Sequence, residues 1–144
     1  MTLVKNLEKL ILLYSSFLNE NDFQVINEMK SGMGCFIDYS NDFLCLRFIN
    51  DRGICEVLVG QQKNRANLEF YQLETIRILL IKLEDQPIEN HLKKSVLFSW
   101  DENHEFLISN YNLLKSICSS DKILKTKRNL NDIRSARAKI QYGT

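Results

Sequence analysis

The first twenty residues carry apolar side chains at three- and four-residue steps: Leu3, Leu7, Leu10, Tyr14 and Phe17, with Val4, Ile11 and Leu18 alongside. That spacing follows the 3.6-residue helical turn and predicts one amphipathic helix from Thr2 to about Asn19. Asn19-Glu20-Asn21-Asp22 ends it, because these side chains compete for nearby backbone hydrogen bonds and favour turns. From Phe23 to Gly60 the period becomes two. Alternation through Phe23–Glu28, Cys35–Tyr39, Phe43–Ile49 and Ile54–Val59, broken at Ser31–Gly34, Ser40–Asp42 and Asn50–Gly53, predicts a four-stranded antiparallel meander. The last two strands are apolar on nearly both faces, apart from Arg47 and Glu56. Counting back from a turn at Asp51-Arg52 sets Arg47 opposite Glu56, and a cross-strand ion pair accounts for both charges.

Helical periodicity returns after the polar stretch Gln61–Asn67. Leu73, Ile76, Leu80 and Leu83 mark a second helix over about Leu68–Glu84, with Asn67 as N-cap and Asp85-Gln86-Pro87 as its stop. Ile88–Phe98 reads as a short helix. Ser99 and Glu102 have capping-box spacing and open a third helix whose core face is Leu107, Tyr111, Leu114 and Cys118. Leu130, Ile133, Ala136 and Ile140 mark a final helix over about Leu124–Tyr142. The order of one helix, four strands and three or four helices implies an α+β fold with the helices packed on one sheet face. A single domain spans 1–144, with 1–120 as its compact core and 121–144 as a basic C-terminal helix.

Composition narrows the class. With 144 residues, 44% apolar and 26% charged, the chain resembles an ordinary globular domain. At this length folding buries roughly 68–70% of the unfolded surface, so neither disulfides nor a structural metal are required. A net charge of +1 argues against a protein that coats DNA through a broad basic field. The apolar run Leu10–Tyr14 is far shorter than the ~20 residues that cross a bilayer. Glu8 and the poor cleavage site Ser15-Ser16-Phe17 argue against a secretory signal, so a cytoplasmic location is expected. In that reducing setting Cys35, Cys45, Cys55 and Cys118 read as small buried hydrophobes. Their spacing, and that of His91 and His104, does not match the short C-x-x-C or H-x-x-x-H intervals that bring metal ligands together. No metal or cofactor is expected.

Residues suited to reaction chemistry are few and scattered. His91 and His104 fall in polar, solvated stretches without the nucleophile and orienting acid that a hydrolase needs. Asp38, Asp42, Asp51 and Glu56 lie on the sheet, yet no Glu-x-Lys follows an Asp at the distance used by metal-dependent nucleases. Neither glycine-rich phosphate loop is present. Phe36, Tyr39, Phe43 and Phe48 divide between both strand faces with few basic neighbours, which fits core packing better than an RNA platform. No catalytic residue and no enzyme activity are expected.

Charge is divided along the chain. Lys122, Lys125, Lys127, Arg128, Arg134, Arg137 and Lys139 against Asp121 and Asp132 give residues 121–144 a balance of +5, which leaves −4 for residues 1–120. Lys125, Lys127, Arg128, Arg134 and Arg137 therefore offer a contact for nucleic acid or an acidic partner. The same residues also fit a solvated helix face, favoured near a C-terminus by the helix dipole.

One stretch carries a resemblance. Leu46-Arg47-Phe48-Ile49-Asn50-Asp51-Arg52-Gly53 is a strand that ends in an Arg-aromatic pair and turns through Asp-Arg-Gly. It follows a helix and an edge strand and precedes helices that end in a basic Leu130-x-x-Ile133-Arg134-x-x-Arg137-Ala138 segment. This layout resembles immunity proteins of bacterial polymorphic toxin and contact-dependent growth inhibition systems. The resemblance implies a cytosolic protein that binds and neutralises a cognate toxin domain, often a nuclease, and needs no catalytic residue. A nuclease cleft is basic, so an acidic inhibitor face would speed association. The partner-binding candidates that follow are Asp38, Asp42, Asp51, Glu69 and Glu74, with Tyr71 as an aromatic anchor. The competing reading is a nucleic-acid-binding or regulatory protein that uses the basic final helix.

Overall fold

A computed structural model describes residues 2–31, 33–61, 70–93, 99–119 and 122–142. In chain order the elements are α1 (Thr2–Leu13), α2 (Ser15–Glu20), β1 (Gln24–Lys30), β2 (Gly34–Ser40), β3 (Leu44–Asp51), β4 (Ile54–Gln61) and β5 (Phe70–Gln72), then α3 (Leu73–Leu83), α4 (Glu89–Lys93), α5 (Trp100–Ser109), α6 (Tyr111–Ile117) and α7 (Ile123–Tyr142). The strands form one antiparallel sheet in the order β1-β2-β3-β4-β5. The α+β layout matches the sequence reading, with one strand more than the four predicted.

Strand alternation sorts residues onto two faces. Ile37, Phe48 and Val57 share one cross-strand row, and Tyr39, Leu46 and Val59 the next. This inner face forms one hydrophobic cluster with Leu7 and Leu10 of α1, Tyr14 between the first two helices, Phe17 and Leu18 of α2, and buried residues of α3, α5, α6 and α7. The Tyr14 ring meets Phe48 edge-on at 5.3 Å and the His104 ring at 4.8 Å. Such T-shaped contacts set the positive ring edge against the negative face.

Three sequence expectations need correction. The first helix is two, because the backbone breaks at Tyr14 (φ −94°, ψ 1°). The apolar stripe runs straight through the break, so periodicity could not register it. The second helix starts later than expected: Phe70–Gln72 pair with Leu58–Gly60 as β5, and α3 begins at Leu73. The predicted cap Asn67 lies outside the described residues. The third helix is α5 and α6, separated at Asn110, and its capping box is present, with Ser99 Oγ accepting from Glu102 N–H and Glu102 accepting from Ser99 N–H.

The β3–β4 register also differs by two residues. Asp51 pairs with Ile54, so the connecting loop is Arg52-Gly53 rather than Asp51-Arg52. Both loop residues have positive φ (54° and 96°), the conformation of a tight primed hairpin turn. Asn50 Oδ1 accepts from Gly53 N–H at 2.9 Å and fixes the turn from inside. Arg47 therefore opposes Leu58 on β4 and Asp38 on β2, while Glu56 opposes Ile49. The ion pair of Arg47 forms with Asp38, not with Glu56.

Helix α7 lies against α3 and α4 and adds Leu130 and Ile133 to the same core, so the basic segment is integral to the packed body. Among the described residues no helix is long and apolar enough to cross a membrane. None of the four cysteines forms a disulfide. Cys35 and Cys55 both register with Asn50 from opposite sides, so they lie two strands apart. That separation, roughly 9–10 Å, exceeds the reach of a disulfide.

Candidate functional site

The sequence candidates do not form one patch. Asp38 lies under the outer sheet face with a side chain 1% exposed, and both its oxygens accept from Arg47, at 2.8 Å from Nε and 3.0 Å from Nη2. The Arg47 guanidinium is sandwiched between the rings of Phe36 (3.9 Å) and Phe70 (4.3 Å). This bidentate, doubly stacked geometry suits an arginine and holds the sheet together. Asp38 is thus internal and cannot meet a partner directly.

Two further candidates are structural. Tyr71 is buried, with its hydroxyl 3.3 Å from Asn131 Oδ1, so it is no exposed anchor. Glu74 accepts from Arg137 Nη2 at 2.5 Å, which ties α3 to α7. Glu69 lies outside the described residues. The basic helix is similarly engaged: Arg134 Nη2 donates to the Phe70 carbonyl at 2.9 Å and its guanidinium sits 4.5 Å over the Tyr71 ring. Lys125 and Arg128 are exposed and Lys127 is half-buried. Asp51 is exposed at the β3–β4 turn, 3.9 Å from the equally exposed Arg52, a separation at which water screens most of the attraction.

Asp42 has the most developed surroundings. At the opposite end of the sheet from Asp51, a recess of about 350 Å³ is lined by Asn21, Asp22, Gln24, Ile26, Ser40, Asn41, Asp42 and Phe43. Its walls come from the α2–β1 turn and the β2–β3 turn, twenty residues apart in sequence. Asn41 joins them. Its Oδ1 accepts from Phe43 N–H and Leu44 N–H, both at 2.9 Å, and its Nδ2 donates to the Asn21 carbonyl at 2.8 Å and to Tyr111 Oη at 2.7 Å. All the hydrogen-bonding capacity of this buried amide is therefore used, and the turns are held rigidly. Asn21 Nδ2 in turn donates to the Phe17 carbonyl at 2.8 Å and closes α2. Asp22 takes a left-handed φ of 59°, which Asp tolerates better than most residues.

The recess presents the exposed carboxylates of Asp22 and Asp42 beside polar amides. Phe43, 53% exposed, stands at its margin with Lys115 Nζ 5.0 Å from its ring. Below, burial pushes the Tyr111 phenol up; the bond from Asn41 opposes this and the Asp22 charge adds to it. Two acids and polar amides suit a basic side chain, while the Phe43 ring beside them already carries the Lys115 ammonium of the same chain. Sequence reasoning selected Asp42 but missed Asp22 and Asn41, which look like ordinary turn residues until the two turns meet.

Elsewhere the titratable groups are dispersed. His91 is exposed on α4, and His104 packs edge-on against Tyr14. Burial pushes the Cys118 thiol up to about 11, against a smaller lowering from Lys127, which keeps it protonated at neutral pH. Among the described residues no group of three or more His, Cys, Asp or Glu side chains is arranged to hold a metal ion. No family model matches the chain, and neither a curated protein nor a solved structure matches it significantly.

Proposed function

We propose that this chain is a non-catalytic binding protein, and that its partner is a cognate toxin domain that it neutralises, as an immunity protein does. The observation that carries the reading is the rigid acidic recess at Asp22 and Asp42, built by a fully satisfied Asn41 and edged by the exposed Phe43. An acidic, preorganised surface attracts a basic cleft at long range and loses little entropy on contact. The layout resemblance around Leu46–Gly53 favours a toxin as the source of that cleft. The nucleic-acid reading is weaker, because Arg134 and Arg137 are tied to Phe70 and Glu74.

The experiment is co-purification with the product of the adjacent open reading frame, together with growth rescue when both are expressed. A one-to-one complex and restored growth are expected, with both weakened in an Asp22→Asn/Asp42→Asn variant. No complex and no rescue would refute the reading.

A further inference from the structure

The described sheet has two edges. β5 is three residues long, whereas β1 runs seven residues and is exposed at every position but Ile26. An exposed edge offers unpaired backbone donors and acceptors to any strand that can align with it. The bulge between Val25 and Asn27 twists the first part of β1 out of regular pairing, which leaves Asn27–Lys30 as its regular segment. Ser31 N–H donates to the Gly34 carbonyl at 2.8 Å, so the backbone of Ser31 faces β2. By alternation Met29 also faces β2, and the N–H and C=O groups of Glu28 and Lys30 face outward.

We propose that a second copy of this chain pairs with that edge, β1 against β1, antiparallel about a two-fold axis through Met29. In this register Glu28 lies opposite Lys30 of the second copy, and Lys30 opposite its Glu28. Each pair sets opposite charges across the strands at a position where the outward backbone groups can exchange two hydrogen bonds. Met29, 48% exposed in one chain, meets its own copy in the intervening non-hydrogen-bonded position. Charge, backbone polarity and apolar exposure thus agree on one isologous register, as two-fold symmetry requires. The two five-stranded sheets would become one continuous ten-stranded sheet. The recess at Asp42 is lined on one side by Gln24 and Ile26 of β1, five and three residues from the axis, and its acids Asp22 and Asp42 belong to the turns beyond that strand.

The test is the mass of the full chain by sedimentation equilibrium over a wide concentration range. The wild type should rise from the monomer mass of 16.9 kDa toward twice that value. Glu28→Lys or Lys30→Glu alone faces like charges across the axis twice and should hold the chain monomeric, while Glu28→Lys/Lys30→Glu together should restore the twofold rise. Circular dichroism and unfolding midpoints confirm that these surface variants remain folded. A wild type that stays at 16.9 kDa throughout overturns the proposal, including if a strand of another protein takes the edge instead. Single variants that dimerise like the wild type, or a double variant that stays monomeric, overturn it as well.

Discussion

The two faces of the sheet solve burial by different means. On the inner face Phe48, Leu46 and Val59 are covered by helices, and stabilisation comes from apolar area removed from water. On the outer face a carboxylate is buried at Asp38, which is tolerable because Arg47 neutralises it in bidentate geometry and two rings clamp the guanidinium. The inner face tolerates little change of volume, while the outer face tolerates little change of charge.

Removing volume from the inner face should have the largest effect. Phe48→Ala deletes a fully buried ring that contacts Tyr14 and Tyr39 and should destabilise the protein by about 3–5 kcal/mol in urea unfolding. Charge removal on the outer face comes next. Asp38→Asn should cost about 1.5–3 kcal/mol, because it leaves Arg47 without its counter-ion. Arg47→Met combined with Asp38→Asn should cost less than the sum of the single changes, since the pair fails as a unit. Strict additivity would mean that the two side chains act separately and would erase the contrast between the faces.

A smaller effect separates the faces by pH. Glu56, on the outer face, has its pKa raised chiefly by burial, with the Asp51 and Glu74 charges adding and a hydrogen bond from Gln72 opposing. The folded state therefore keeps this proton to higher pH than the unfolded chain does. Stability falls as pH rises from the ordinary glutamate value through the folded one, because over that interval the native state binds more protons. Glu56→Gln should flatten this part of the curve and raise stability near neutral pH, read from unfolding midpoints against pH. An unchanged slope would show that Glu56 is solvated like any surface acid.

How legible each feature was in the sequence follows the range of the interaction behind it. The inner rows and the capping box at Ser99 are local patterns, and alternation or fixed spacing announces them. The register of β3 against β4 hinges on which two residues form the turn, and placing Arg52 rather than Asp51 first in the loop moves every partner by two. The pairing of Asp38 with Arg47 follows from the β2–β3 turn and was hidden by that choice. β5 has three residues, too few for alternation to show. Arg134 and Arg137 looked like a free basic face, because only tertiary packing brings Phe70 and Glu74 to them. The recess was the least legible feature, since Asn41 joins segments with no sequence signal linking them.

Association kinetics test the recess as a contact surface most directly. The rate constant for binding the adjacent reading frame's product should fall with rising salt in the wild type, and Asp22→Asn/Asp42→Asn should lower that rate and flatten its salt dependence. Equal rates and equal salt slopes for the two proteins would contradict it.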